Sequence, residues 1–194
     1  IAIMGAGLVG ALGYTFSDSF WFSAVEAEVY ALSSLFTAIV FWAILKWENI
    51  ADEPKADRWL LFIAYFMGLS IAVHLLSLLT IPVLAFVYYF RKTKNVTNKG
   101  IIKTFLIGVL ILGIIQYGFV QYLVFFAAYF DLFFVNSLGM GFGTGVLFFG
   151  ILLIVGFYFG IKHSIKTRNK ILNLALLSSV LIIFGYSSFA MIVI

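Results

Sequence analysis

Residues 58–91 read RWLLFIAYFMGLSIAVHLLSLLTIPVLAFVYYFR, an apolar run with no charged side chain between its two terminal arginines. As one helix it would be about 51 Å long at 1.5 Å per residue, against a hydrocarbon core of about 30 Å. Tilting does not absorb that difference. The run is therefore expected to fold back on itself as two helices, roughly 58–74 and 76–91. Gly68, His74, Ser77, Thr80 and Pro82 lie where the break is expected, since proline removes a backbone donor and small polar residues mark kinks. The split also sets the side on which every earlier loop falls.

Further apolar runs lie at about 1–14, 19–47, 101–130, 145–161 and 171–194, separated by short polar or glycine-rich stretches. Apolar residues make up 64% of the chain and charged residues 10%, against roughly 45–50% and 25% in a soluble domain. Lipid must be the main solvent. The in–out alternation of a membrane barrel is missing, which leaves helices as the way to satisfy backbone polar groups in hydrocarbon. The expected fold class is all-α, a polytopic transmembrane bundle of about seven membrane helices forming a single domain over 1–194. With no cysteine, disulfide and thiolate chemistry are excluded. The chain opens at Ile1 and ends at Ile194 inside apolar stretches, and reads as a fragment of a longer polypeptide. Residues 1–14 lack the charged start and cleavage site of a signal peptide and read as a truncated membrane helix.

Charge sets the orientation. Arg91, Lys92, Lys94, Lys99 and Lys103 form one acid-free basic stretch, and Lys162, Lys166, Arg168 and Lys170 form another. Loops 91–103 and 162–170 are expected to be cytoplasmic by the positive-inside rule. Counting crossings backwards puts the 48–57 loop on the same side and the turn near His74 outside. Asp18, Glu26, Glu28, His74 and Asp131 then collect at the external face. A single helix over 58–91 would move Asp18 and both glutamates to the other side.

Gly5-x-Gly7-x-x-Gly10 imitates a dinucleotide fingerprint, but that motif needs a soluble βαβ unit around it. Small residues on a membrane helix more simply allow close packing. Gly139, Gly141, Gly143 and Gly145 alternate before the 145–161 helix; a phosphate-cradling nest is conceivable there, and a flexible loop or packing surface is favoured. Asn95-Val-Thr matches a glycosylation sequon, but in a cytoplasmic loop it is expected to stay unmodified.

Ser17, Asp18 or Ser19 can cap the helix that follows. Trp21 and Tyr30 suit either an interfacial aromatic belt or contact with substrate. A carboxylate close to hydrocarbon is costly and faces a polar cavity or a partner, which draws attention to Glu26 and Glu28. On one continuous helix they point about 200° apart. Trp21, Ala24, Glu28 and Ala31 then share a stripe, favoured as inward-facing, while Phe22, Glu26, Tyr30 and Ser33 share the other. His74 either bonds a neighbouring helix or serves a site, and a lone His and Glu do not make a metal centre. His163 reads as a membrane-surface residue.

Phe20-Trp21, Glu28-Val29-Tyr30, then Ala56-Asp57-Arg58-Trp59, Gly68-Leu69-Ser70 and His74 before Ile81-Pro82 together carry a resemblance. Over roughly residues 14–91 the chain resembles glycosyltransferase family 117, which includes a protein O-mannosyltransferase; over 92–194 only the hydrophobic pattern agrees. The resemblance implies a GT-C type fold with its active site at the extracytoplasmic face. It also implies a sugar donor carried on a polyprenyl phosphate and a protein hydroxyl as acceptor. The family's Gly-Asp-Ser-Gly-Glu type motif, with the expected catalytic Asp, is missing from these residues and would belong upstream of Ile1. By matching position Glu28, Tyr30 and His74 carry over as site candidates, with Trp21 as a structural neighbour; Glu28 and His74 are the catalytic candidates, and Trp21, Tyr30 and, from its place near hydrocarbon, Glu26 are the substrate-binding candidates. In that scheme His74 donates to the lipid phosphate and Glu28 orients His74 or the acceptor. No metal ligand set and no nucleic-acid partner are expected. The setting expected is a bacterial inner membrane. The physics of the residues alone also accommodates a transporter or flippase of lipid-linked sugar, or a structural membrane subunit.

Overall fold

The computed structural model describes the backbone of residues 1–26 and 29–193, and the side chains of residues 1–26 and 29–188. Among the described residues every regular element is helical, so the fold is all-α. The elements are α1 (Ala2–Thr15), α2 (Asp18–Val25), α3 (Tyr30–Ile50), α4 (Asp57–Val73), α5 (Thr80–Lys92), α6 (Asn98–Gly113), α7 (Leu123–Leu138), α8 (Thr144–Lys166) and α9 (Lys170–Val193). A 3₁₀ turn, Leu75–Leu79, precedes α5, and a π-helical stretch, Ile114–Tyr122, joins α6 to α7.

The 58–91 run breaks where its length requires. α4 stops at Val73 and His74 adopts an extended conformation, φ −159° and ψ 128°. Ser77 Oγ donates to the His74 carbonyl at 3.0 Å, and Thr80 Oγ1 to the Ser77 carbonyl at 2.8 Å. Pro82 falls in the first turn of α5, where a missing N–H breaks no helical bond. In contrast, the expected continuous helix over 19–47 does not form. α2 ends at Val25, and Glu26 is extended at φ −65° and ψ 140°.

Among the described residues, five segments are long and apolar enough to cross a membrane: Tyr30–Ile50, Leu75–Lys92, Asn98–Leu138, Thr144–Lys166 and Lys170–Ser188. The chain is an integral membrane protein. α1 has 14 residues, fewer than the roughly 17–25 of a membrane helix, whereas α4, at 17, carries the chain from the basic end back to His74. The helix from Asn98 to Leu138 is 41 residues long, about 62 Å and twice the hydrocarbon core. The expected 101–130 span is only its middle.

α3 and α4 supply the core through apolar stripes three and four residues apart. Val40, Ala43, Ile44 and Trp47 come from α3, and Ile63, Ala64, Met67 and Ile71 from α4. α4 also lies along α9, with which it makes its most extensive contact. A Cβ on Gly68 would stand 2.9 Å from Ile182 Cα, and one on Gly185 would stand 2.8 Å from Leu69 N. Arg58 and Leu61 of α4 line one cleft with Lys170 and Leu174 of α9, so the two helices run parallel with their first turns at the same end. α5 packs on α6 and α7 on α8, with Gly108 against Pro82 and Gly145 against the Asp131 backbone.

The helix ends sort the charges. Arg91 Nε donates to the Glu48 carbonyl at 2.8 Å and its Nη2 to Asp52 at 2.5 Å, while Lys92 Nζ reaches the Ala51 carbonyl at 2.6 Å. These bonds pin the 48–57 loop to the end of α5. The start of α4 and the α8–α9 loop line one cleft, so loops 48–57, 91–103 and 162–170 share an end that carries all 12 lysines and arginines. Asp18, Glu26, His74 and Asp131 lie at the other end.

Candidate functional site

The break after α4 does more than turn the chain. A 3₁₀ turn starts with unsatisfied N–H groups, and His74 answers one of them: its Nδ1 accepts from Leu76 N at 3.0 Å. A ring nitrogen that accepts carries no proton, so this bond assigns the neutral tautomer with the proton on Nε2. The imidazole is therefore oriented by the backbone and keeps one N–H free to donate. Tyr30, the first residue of α3, lies beside it with ring centroids 5.6 Å apart at 44°.

Next to this pair a cleft of about 650 Å³ opens between α3 and the 3₁₀ turn. Ser33, Ser34 and Thr37 line one wall and Ser77 and Thr80 the other, with Tyr14 and Phe20 at its edge. The Tyr14 and Phe20 rings pack at 4.5 Å. Ser33, Ser77 and Thr80 are buried. A row of hydroxyls in an otherwise apolar bundle can hydrogen-bond a polyhydroxylated ligand while the surrounding leucines hold an apolar one. The pattern that carries this wall, hydroxyls at 33, 34 and 37 and again at 77 and 80, follows helical spacing. It is visible in the sequence but is hidden among apolar residues.

The proposed site residues divide. His74 and Tyr30 come together, and although neither lines the cleft, each is close in sequence to a residue that does, Tyr30 to Ala31 and His74 to Leu76. Trp21 stacks on Phe16 at 6.1 Å and is half exposed, while its neighbour Phe20 is the residue that lines the cleft. Glu26 is exposed at the end of α2. Glu28 lies outside the described residues. The two stripes drawn for one helix through 19–47 lose their basis, because α2 and α3 are separate helices. Ser33, assigned to the stripe not favoured as inward-facing, is buried.

Three other expectations change. Ser17 stands at the start of α2, but its hydroxyl donates back to the Tyr14 carbonyl at 2.8 Å and caps nothing. Asp131 does not join the His74 cluster. It is buried, 5% exposed, and accepts from Gly143 N at 3.2 Å and Gly145 N at 3.0 Å. It thus neutralises the positive end of α8 from within the fold. The glycine-rich loop is thereby explained: Gly139 and Gly143 have φ of +65° and +88°, which favour glycine, Gly145 permits the close approach, and the donors of the conceivable nest are occupied by Asp131. In α1, by contrast, a Cβ on Gly5, Gly7, Gly10 or Gly13 would meet nothing within 4 Å, so these glycines pack against no described part of the chain.

A family model described as "Protein O-mannosyl-transferase TMEM260 N-terminal domain" matches residues 1–97. That segment contains α1 to α5 and every residue named above as lining the cleft. No curated protein and no solved structure matches the chain.

Proposed function

The chain belongs to the family of the protein O-mannosyl-transferase TMEM260 N-terminal domain, and from that premise we propose that it acts in a membrane glycosyltransferase. The enzyme moves a sugar, mannose by the family's name, from a polyprenyl-phosphate donor to a protein hydroxyl. The observation that carries this reading is the hydroxyl-lined cleft beside His74 and Tyr30, which falls within the matched segment. With the 12 basic residues at the opposite end, the positive-inside rule orients the cleft to the extracytoplasmic face. That is where a GT-C type enzyme works.

In the transfer, the acceptor oxygen bonds to the anomeric carbon while the bond from that carbon to the phosphate oxygen breaks. The acceptor proton passes to a carboxylate base, and the charge developing on the phosphate needs donors. His74 Nε2–H is such a donor, held in place by the bond at Nδ1. Ser33, Ser34 and Thr37 bind the sugar hydroxyls. Glu28, two residues before Tyr30 in the chain, orients the acceptor. The polyprenyl-phosphate sugar is the substrate, and no further cofactor is assigned.

The test is sugar transfer by the full-length protein in detergent, wild type beside His74→Asn, Tyr30→Phe and Glu28→Gln. Asparagine retains an acceptor for Leu76 N but lacks the Nε2–H. A fall of about a hundredfold in turnover by folded His74→Asn is expected for a lost charge-stabilising donor. Unchanged turnover removes His74 from the site. No transfer by wild type from any polyprenyl-phosphate sugar overturns the transferase and leaves transport of the lipid-linked sugar.

A further inference from the structure

At the end opposite the candidate site, a second cleft of about 560 Å³ opens between α4, α8 and α9. Lys55, Arg58, Arg168 and Lys170 line it, with Asp57 as its one carboxylate. Among the described residues, Asp52 takes Arg91 and Lys92 as partners, whereas none of these four cations has a carboxylate within 4.0 Å. Unpaired cations gathered at a concave surface attract an anion, and the positive ends of α4 and α9, which both begin here, add to that field.

The cleft is also two-sided. Leu61 lies one turn into α4 beyond Arg58, and Leu174 and Leu177 lie one and two turns into α9 beyond Lys170. Both α9 leucines belong to the Lys170–Ser188 membrane-crossing segment. The cations therefore stand at the membrane boundary and the leucines extend into hydrocarbon. Ser164 and Asn173 tie α8 to α9 beneath it, through Asn173 Nδ2 donating to Ser164 Oγ at 2.9 Å.

Arg168 is a separate pointer. It follows α8 with φ +52°, where Asn169 N returns to the Ser164 carbonyl at 3.0 Å. Glycine is the residue that this left-handed position favours. Here an arginine occupies it and places its side chain in the cleft.

We propose that this cleft is a binding site for an anionic phospholipid of the leaflet at the basic end. The phosphodiester headgroup is held by Lys55, Arg58, Arg168 and Lys170, and an acyl chain lies along Leu61, Leu174 and Leu177. A free phosphate would use the cations but not the leucines, which is why the lipid is favoured. The site lies at the opposite end from the His74 cleft and does not depend on the transferase reading.

The test uses full-length protein in detergent and counts bound phosphatidylglycerol against phosphatidylcholine by native mass spectrometry. Wild type is expected to prefer phosphatidylglycerol. Each cation removed is expected to weaken that preference about fivefold, so Arg58→Gln/Arg168→Gln loses roughly 25-fold. Arg168→Gly, which relaxes the turn and so does not endanger folding, is expected to lose about fivefold. Lys94→Gln/Lys99→Gln, on another loop, is expected to behave as wild type. Undiminished preference in the first two variants overturns the proposal, as does an equal loss in the loop control. Displacement of the lipid by millimolar inorganic phosphate overturns the lipid in favour of a free-anion site.

Discussion

Replacing Gly68 by alanine places a methyl group in the α4–α9 crossing. Its carbon would stand 2.9 Å from Ile182 Cα and closer still to the Ile182 carbonyl oxygen. Carbon atoms rest about 3.5–4.0 Å apart, so the helices must part by roughly 0.6–1 Å along their most extensive interface. Overpacking of this kind costs about 1–3 kcal/mol, and alanine returns up to about 1 kcal/mol of helix propensity. The expected net loss is about 1–2 kcal/mol. Gly185→Ala, whose Cβ would stand 2.8 Å from Leu69 N, forces the same separation, so the double variant should cost less than the sum. Reversible unfolding in mixed micelles with increasing dodecyl sulfate measures this. Gly150→Ala and Gly5→Ala, which meet nothing within 4 Å, serve as controls. An unfolding midpoint for Gly68→Ala equal to wild type, or a Gly150→Ala variant equally damaged, refutes the crossing as the reason for these glycines. Since α4 ends at Val73, just before His74, the same variant should also slow sugar transfer.

Asp131→Ala strips the acceptor from Gly143 N and Gly145 N and should cost about 2–3 kcal/mol, with Asp131→Asn in between; equal stability of all three would sink the capping role. Thr97 Oγ1 accepts from Gly100 N at 3.1 Å, so Thr97→Ala should lose about 1 kcal/mol in the same unfolding assay and Thr97→Ser should recover most of it. The hydrogen bond from Arg91, then that from Lys92, holds the Asp52 carboxyl below its ordinary value of 3.8. A carboxylate depressed in the folded state stabilises the fold fully above its unfolded pKa, and that contribution fades as pH falls through the lower folded value. Carbon-13 NMR titration of Asp52 should give a midpoint below 3.8 that moves back toward it in Arg91→Gln, and an unshifted wild-type midpoint contradicts the pairing.

The chain break beside the candidate site was legible in the residues. The length of the 58–91 run demanded a break, and His74, Ser77, Thr80 and Pro82 sit at it. The partner of His74 was less legible. That Tyr30 packs on its ring follows from how α3 sits against the 3₁₀ turn, some 44 positions away in the chain, and no local pattern encodes such an approach. The carboxylate stripes failed because periodicity assumes a helix that continues, whereas the backbone at Glu26 is extended.

Composition, segment length and charge placement determined the solvent, the helical class, the fold-back at His74 and the common side of the basic loops. These follow from the transfer of single groups between water and lipid, which depends on a residue's own chemistry. Tertiary structure decided which groups come together: Asp131 with the start of α8, the hydroxyls of α3 and those near Thr80 on one cleft, and the four cations of the second cleft. The physical reason is that hydrogen bonds and ion pairs act over about 3–4 Å between residues far apart in sequence, and the packing of α4 against α9, of α7 against α8 and of α3 against the 3₁₀ turn and α5 sets those distances.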